Sequence, residues 1–256
     1  MTSIFSELTG NNLPVLLVLA TFLGGLVRGF TGFGFAMVFM PIASLAVGPV
    51  LAMGLIWAVD AVFAMPIASR SFRRADWREV WPLLIAAICA MPLGVTLLLA
   101  TDPLLMRWLL AGLVLAAVAL LASGWRYQGR AGLPLSFGVG SISGLFSGLA
   151  SLGGMPLAVF WLGAQRNDAR QTRDNLQTFF GLTTISSGLI LWHKGVINPA
   201  VLWQALPLLV PYGVGLFIGT RGFHVASETT FRRIAYLVIF CSAVVSIPLW
   251  DAWLGR

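Results

Sequence analysis

Charge is what this 256-residue chain has least of: Asp, Glu, Lys and Arg together make up 10% of it, against 58% hydrophobic residues. Soluble domains carry about a quarter of their residues charged, so the composition excludes an ordinary water-exposed surface. Cysteine is almost absent. Its two copies, Cys89 and Cys241, fall inside apolar runs, where a thiol acts as a small hydrophobe, which argues against a disulfide or a metal site. No His, Cys, Asp or Glu spacing fits a metal, and no glycine-rich phosphate loop is present, so neither a metal, nor a cofactor, nor ATP hydrolysis is expected. The opening MTSIFSELTGNN carries Glu7 and no basic run, so a cleaved secretory leader is not expected.

What the chain has instead is apolar runs of about 20 residues, each able to cross a ~30 Å hydrocarbon layer as a helix. They predict spans over residues 50–69, 80–100, 104–123, 200–220 and 234–254, and a further helix over 172–192. Residues 12–48 and 133–164 are too long for one crossing, and glycines interrupt each in the middle, so each is expected to form two short helical pieces. The formal charge of +7 does not point to nucleic acid, because the cations gather in short gaps between apolar runs. Arg70, Arg73, Arg74 and Arg78 share one gap and Arg126 and Arg130 another; Arg166, Arg170 and Arg173 share a third, and Arg221, Arg232 and Arg233 a fourth. The positive-inside tendency places all four gaps on the cytoplasmic side, facing the lipid bilayer's inner surface. That holds only if 133–164 leaves and returns on one side, as a hairpin does. Lys194, beside His193, is expected at an outer helix end, and Trp77, Trp81, Trp125, Trp192 and Trp253 suit the two membrane interfaces.

The halves resemble each other. GLVRGFTGFGFAMVFMP, from Gly25 to Pro41, aligns without gaps on GSISGLFSGLASLGGMP, from Gly140 to Pro156, 115 positions later. MPLGV, from Met91, resembles VPYGV, from Val210. The expected fold is all-α: a polytopic membrane protein of two inverted repeats, about 12–124 and 133–254, in one transmembrane domain. Each repeat holds a Gly-rich helical hairpin, possible as a re-entrant or a fully crossing element, and three further transmembrane helices.

Two glycine tips at depth would expose backbone N–H groups and helix N-termini to a small anion; close helix packing is the other use of such glycines. Candidate anion-binding residues are Gly29, Thr31, Gly32 and Gly34 at the first tip and Ser147, Gly148, Ser151 and Gly153 at the second. Arg28, in GGLVRGFTG, has the donor fork for an oxyanion; the alternative is a topology anchor at the surface. The offset of 115 gives Ser143 as its counterpart. Asp60, a lone carboxylate inside LIWAVDAVFA, is the candidate for proton coupling, or else a salt-bridge partner, for instance of Arg28. The same offset sets Asn175 opposite Asp60, which would draw Arg173, Asp174 and Gln177 deeper and make Arg173 and Asn175 further anion-binding candidates, with a cytoplasmic anchor the alternative for Arg173. The hydroxyls of Thr183, Thr184, Ser186 and Ser187 are expected to bond back to their own helix more often than to a ligand.

On GFTGFGFAMVFMP and GLFSGLASLGGMP, paired glycine clusters leading into Pro41 and Pro156, the chain resembles the TauE/SafE family of sulfite exporters over nearly its whole length. The resemblance implies export of sulfite or small organosulfonates across an inner membrane by a secondary transporter. A proton gradient or membrane potential would drive it. Another small organic anion, such as a carboxylate, is the alternative substrate. An intramembrane serine hydrolase built on Ser143 or Ser147 is a rival that lacks a histidine base at depth, since His193 and His224 fall in loops.

Overall fold

The computed structural model describes residues 13–123, 132–163, 169–225 and 228–250, and the regular elements among them are all helical. They are α1 (Leu13–Thr31), α2 (Phe35–Val47), α3 (Pro49–Ser71), α4 (Trp77–Ala100), α5 (Pro103–Ala122), α6 (Leu133–Ala150), α7 (Gly154–Gly163), α8 (Ala169–His193), α9 (Pro199–Val225) and α10 (Glu228–Ser246). Trp125, Arg126, Arg130, Arg166, Trp253 and Arg256 lie outside the described residues, as do the side chains of His224, Arg232 and Arg233.

Five helices, α3, α4, α5, α6 and α9, are long and apolar enough to cross a membrane. Their outer faces carry Leu93, Leu97, Val210, Val214 and Phe217, all exposed. Such a belt would aggregate in water and is stable against lipid chains. The last span differs from expectation: α10 closes at Ser246 and a 3₁₀ turn follows at Pro248–Trp250. Proline has no N–H to continue the ladder and disfavours helix in the residue before it.

Both over-long stretches form two helices, broken at 32–34 and at 151–153. At the first break the chain turns back on α1. A Cβ on Gly24 would press on the Phe35 ring, and one on Gly34 would press on Val27 at 3.0 Å. Gly32 and Gly34 adopt φ of 81° and 99°, which only glycine accepts freely. At the second break Ser151 takes φ 56°, and a Cβ on Gly153 would overlap the Ser147 hydroxyl.

Glycine contacts give the helix directions. Gly25 and Gly29 of α1 meet the carbonyls of Tyr212 and Leu216, so α1 runs parallel to α9. Gly140, Gly144 and Gly148 of α6 meet those of Leu83, Ala87 and Met91, so α6 runs parallel to α4. Small residues four apart let these backbones touch, the usual helix contact where lipid supplies no hydrophobic drive. Asp60 and Phe63 of α3 meet Tyr212 and Gly213, so α3 also parallels α9, whereas Ser71, Ala68 and Trp57 meet Asp174, Gly181 and Gly188, so α8 opposes α3. The ends of α3 and α9 and the starts of α4, α6 and α8 therefore share one end of the bundle. Arg70, Arg73, Arg74, Arg78, Arg170, Arg173 and Arg221 are exposed there, while Lys194 sits at the other. The α1–α2 hairpin opens toward the Lys194 end and the α6–α7 hairpin toward the arginine end.

Thr31 and Ala150 end their helices, Phe35 and Gly154 begin the next, and Pro92 and Pro211 lie inside α4 and α9, each pair 119 positions apart, one helical turn more than the 115 of the glycine alignment. At 119 the position matching Arg28 is Ser147; at 115 it is Ser143. A glycine stripe of period four matches itself after a slip of four, so the glycines alone do not choose between the two.

Candidate functional site

Asp60 lies at the middle of α3 and Tyr212 at the middle of α9, so both sit near half depth in the bundle. Arg28, near the end of α1, reaches them: its Nη1 is 2.8 Å from Asp60 Oδ1 and 2.9 Å from Oδ2. The Tyr212 hydroxyl donates to Asp60 Oδ1 at 2.8 Å. Asp60 is therefore not the lone carboxylate the sequence suggested, and the ion-pair alternative holds. Arg28 is not a surface anchor either, being 8% exposed. Its Nη2 is buried and has no hydrogen-bond partner among the described residues. Phe180 lies under the guanidinium at 5.9 Å from the ring centroid.

Arg28 lines a cavity of about 80 Å³. About 10–15 Å³ suffices for one water, so a small oxyanion fits. Of the residues singled out from sequence, Arg28, Gly34, Asp60, Ser147, Ser151 and Gly153 line it together. First-turn residues of two helices also face it: Phe35 and Ala36 of α2, and Gly154 of α7. Helix N-termini carry unpaired N–H groups and a partial positive charge of about half a unit. Two of them and the Arg28 guanidinium, itself paired with Asp60, are groups on this wall that can donate to an anion.

The hydroxyls divide. Thr183 donates to Phe179 O, Thr184 to Phe180 O and Ser187 to Thr184 O, so all three show the cavity only lone pairs. Ser186 bonds back in the same way, to Leu182 O. Ser151 points at Met53 Sδ, a weak acceptor, at 3.3 Å. The Ser147 hydroxyl has no hydrogen-bond partner among the described residues and remains a free donor.

The other candidates lie elsewhere. Gly29 and Gly148 are at the helix contacts of α1 with α9 and of α6 with α4. Thr31 closes the first tip, donating to Val27 O, accepting from Phe33 N and touching Phe33 O. Gly32 O accepts from Gln177 Nε2 at 3.4 Å. Asn175 is buried at the arginine end, accepting from Asp76 N and donating to Glu79 Oε2, so it ties α8 to the α3–α4 loop and does not oppose Asp60. Arg173 is exposed beside it. Ser143, the other serine considered as a nucleophile, commits its proton to Gly153 O at 2.6 Å, and His193 is exposed at the far end of α8. Among the described residues no three His, Cys, Asp or Glu side chains gather where a metal could sit.

Sequence reasoning missed Tyr212, Trp57, Phe180 and Met91. Tyr212 carried a signal, a hydroxyl in the middle of a long apolar run that needs a buried partner. The aromatic and methionine walls carried none, since such residues are ordinary in any membrane helix.

A family model described as sulfite exporter TauE/SafE matches residues 17–246. No curated protein and no solved structure matches the chain. With a midplane cavity between two hairpin tips and a match covering nearly its full length, this multi-pass membrane protein belongs to the sulfite exporter TauE/SafE family, a family of transporters.

Proposed function

We propose that the chain is a secondary carrier that exports sulfite or a small organosulfonate across the cytoplasmic membrane, with the anion held between the two hairpin tips. One observation carries the reading: Arg28 lines a cavity that two helix N-termini also face, and its Nη2 is buried with no hydrogen-bond partner among the described residues. A guanidinium with one nitrogen spoken for and another open grips an anion without giving up its structural partner.

The opposed hairpins, the helix contacts made through glycine in both halves and the displacement of about 120 residues between their hairpin breaks support two inverted repeats in one domain, about 12–124 and 133–254. That plan allows one half to rock against the other around a fixed midplane site. The exposed arginines gathered at one end support a cytoplasmic assignment for that end of a protein in the inner membrane. Driving force comes from the membrane potential or the proton gradient. Among the described residues Asp60 is the only carboxylate on the cavity wall and hence the one group there through which a proton gradient can act.

The test is uptake of labelled sulfite and methanesulfonate, with acetate for comparison, into liposomes holding the purified chain under an imposed pH gradient or potential. Saturable flux of a sulfur oxyanion is expected. Arg28→Lys keeps the charge that Asp60 needs but has a single nitrogen, so flux should fall by about tenfold or more in a protein that still folds. Equal flux in the parent and Arg28→Lys would remove Arg28 from the site. No flux of any sulfur oxyanion through folded parent, with acetate carried, would turn the reading to a carboxylate permease.

A further inference from the structure

The cavity has a charge balance as well as a shape. Among the described residues Arg28 and Asp60 are the only ionisable ones lining it, and they are paired at 2.8 Å, so the wall those residues make carries no net charge. What remains for an anion is partial: the Arg28 guanidinium beyond its bond to Asp60, the Ser147 hydroxyl and two helix N-termini. On the same wall α8 presents Thr183, Thr184 and Ser187, whose protons are committed to backbone carbonyls. The Trp57 indole N–H, also on the wall, is spent on Thr184 O. The cavity therefore offers an anion's oxygens a few donors and its O–H, where it has one, the hydroxyl oxygens of α8.

Resting on the carrier reading above, we propose that Asp60 acts as a charge filter: by neutralising Arg28 it restricts the site to monoanions, with preference for those that also carry an O–H for the α8 hydroxyl oxygens. Two physical terms drive this. The cost of taking an ion out of water rises with the square of its charge, so a dianion costs about four times a monoanion of the same size. Attraction to partial donors rises only linearly. A wall with a full uncompensated cation could make up the difference; this one has none to offer. The ligand class that fits is hydrogensulfite or a small sulfonate, above all a hydroxylated one, while sulfate and fully ionised sulfite are excluded. The hydroxyl oxygens of α8 act in the same direction, since a fully ionised oxyanion has no proton to give them.

The experiment uses the full chain in lipid nanodiscs and measures binding of methanesulfonate, a monoanion at every working pH, of sulfate, a dianion, and of sulfite, which loses its second proton near neutrality. Sulfate is expected to bind at least about tenfold more weakly than methanesulfonate. The affinity for total sulfite relative to methanesulfonate is expected to fall as pH rises, approaching about tenfold per pH unit above the sulfite ionisation. Taking that ratio removes any titration of the protein itself. Asp60→Asn, which leaves Arg28 uncompensated, should narrow or reverse the gap between sulfate and methanesulfonate. Sulfate binding as tightly as methanesulfonate to the parent, or a ratio that does not change with pH, would overturn the filter whether or not Asp60→Asn folds, and would leave the carrier reading intact. Binding of none of the three by folded protein would instead sink the carrier reading.

Discussion

Arg28 and Asp60 stand 32 positions apart on different helices, and each at this depth depends on the other. Removing one strands the other in a dry interior, at a cost of about 3–5 kcal/mol, whereas replacing both with apolar residues of similar volume is often about neutral. Asp60→Ala is therefore expected to lower the thermal denaturation midpoint in detergent by about 2–4 °C per kcal/mol lost. Arg28→Met combined with Asp60→Leu should recover most of that loss while abolishing anion binding. A double variant as unstable as the single one would show that the pair is not what the fold relies on at this point. Both residues were visible in the sequence, because a charge inside an apolar run stands out without help from its neighbours. Their partnership was one alternative among several, and Tyr212, donating to the same carboxylate, was not anticipated.

At the scale of the helix, the contacts of α1 with α9 and α6 with α4 are made through glycine, so a side chain there must push two backbones apart. A Cβ on Gly144 would overlap the Ala87 carbonyl and Cα, while nothing lies within 4 Å of the Cβ position of Gly138 on the same helix. Gly144→Val should cost more than the ~1–3 kcal/mol of ordinary overpacking, because backbone cannot move aside as a side chain can. Gly138→Val should change stability by less than about 0.5 kcal/mol. Comparable yields of folded protein from the two variants would contradict the contact. Both uses of the glycines were legible beforehand, and both occur: some are at the cavity and others in the helix contact. Spacing could not sort them, since a stripe of period four presents every fourth residue to the same face.

For the whole molecule, the arrangement makes a labelling prediction. Single cysteines replacing Arg73, Arg173 and Arg221, in a background without Cys89 and Cys241, should react with a membrane-impermeant maleimide from one side of sealed vesicles, and a cysteine at Lys194 from the other. Lys194 reacting from the arginine side would break the assigned helix directions. Four of these positions are in short loops or at helix ends, where exchange of a solvated side chain is tolerated.

Membrane character, helix number and the two broken hairpins were determined by the sequence alone. Each follows from local quantities: the length of an apolar run against the thickness of hydrocarbon, and glycines or a proline where a helix must stop. The grouping of arginines at one end was also foreseeable, because charge placement at span ends is itself a local pattern. The Arg28–Asp60–Tyr212 cluster, the burial of Nη2 and the gathering of donors and acceptors on the cavity wall were decided only by tertiary structure. These depend on which helix face meets which, and on where each hydroxyl proton is spent, relations between distant residues that no single segment contains.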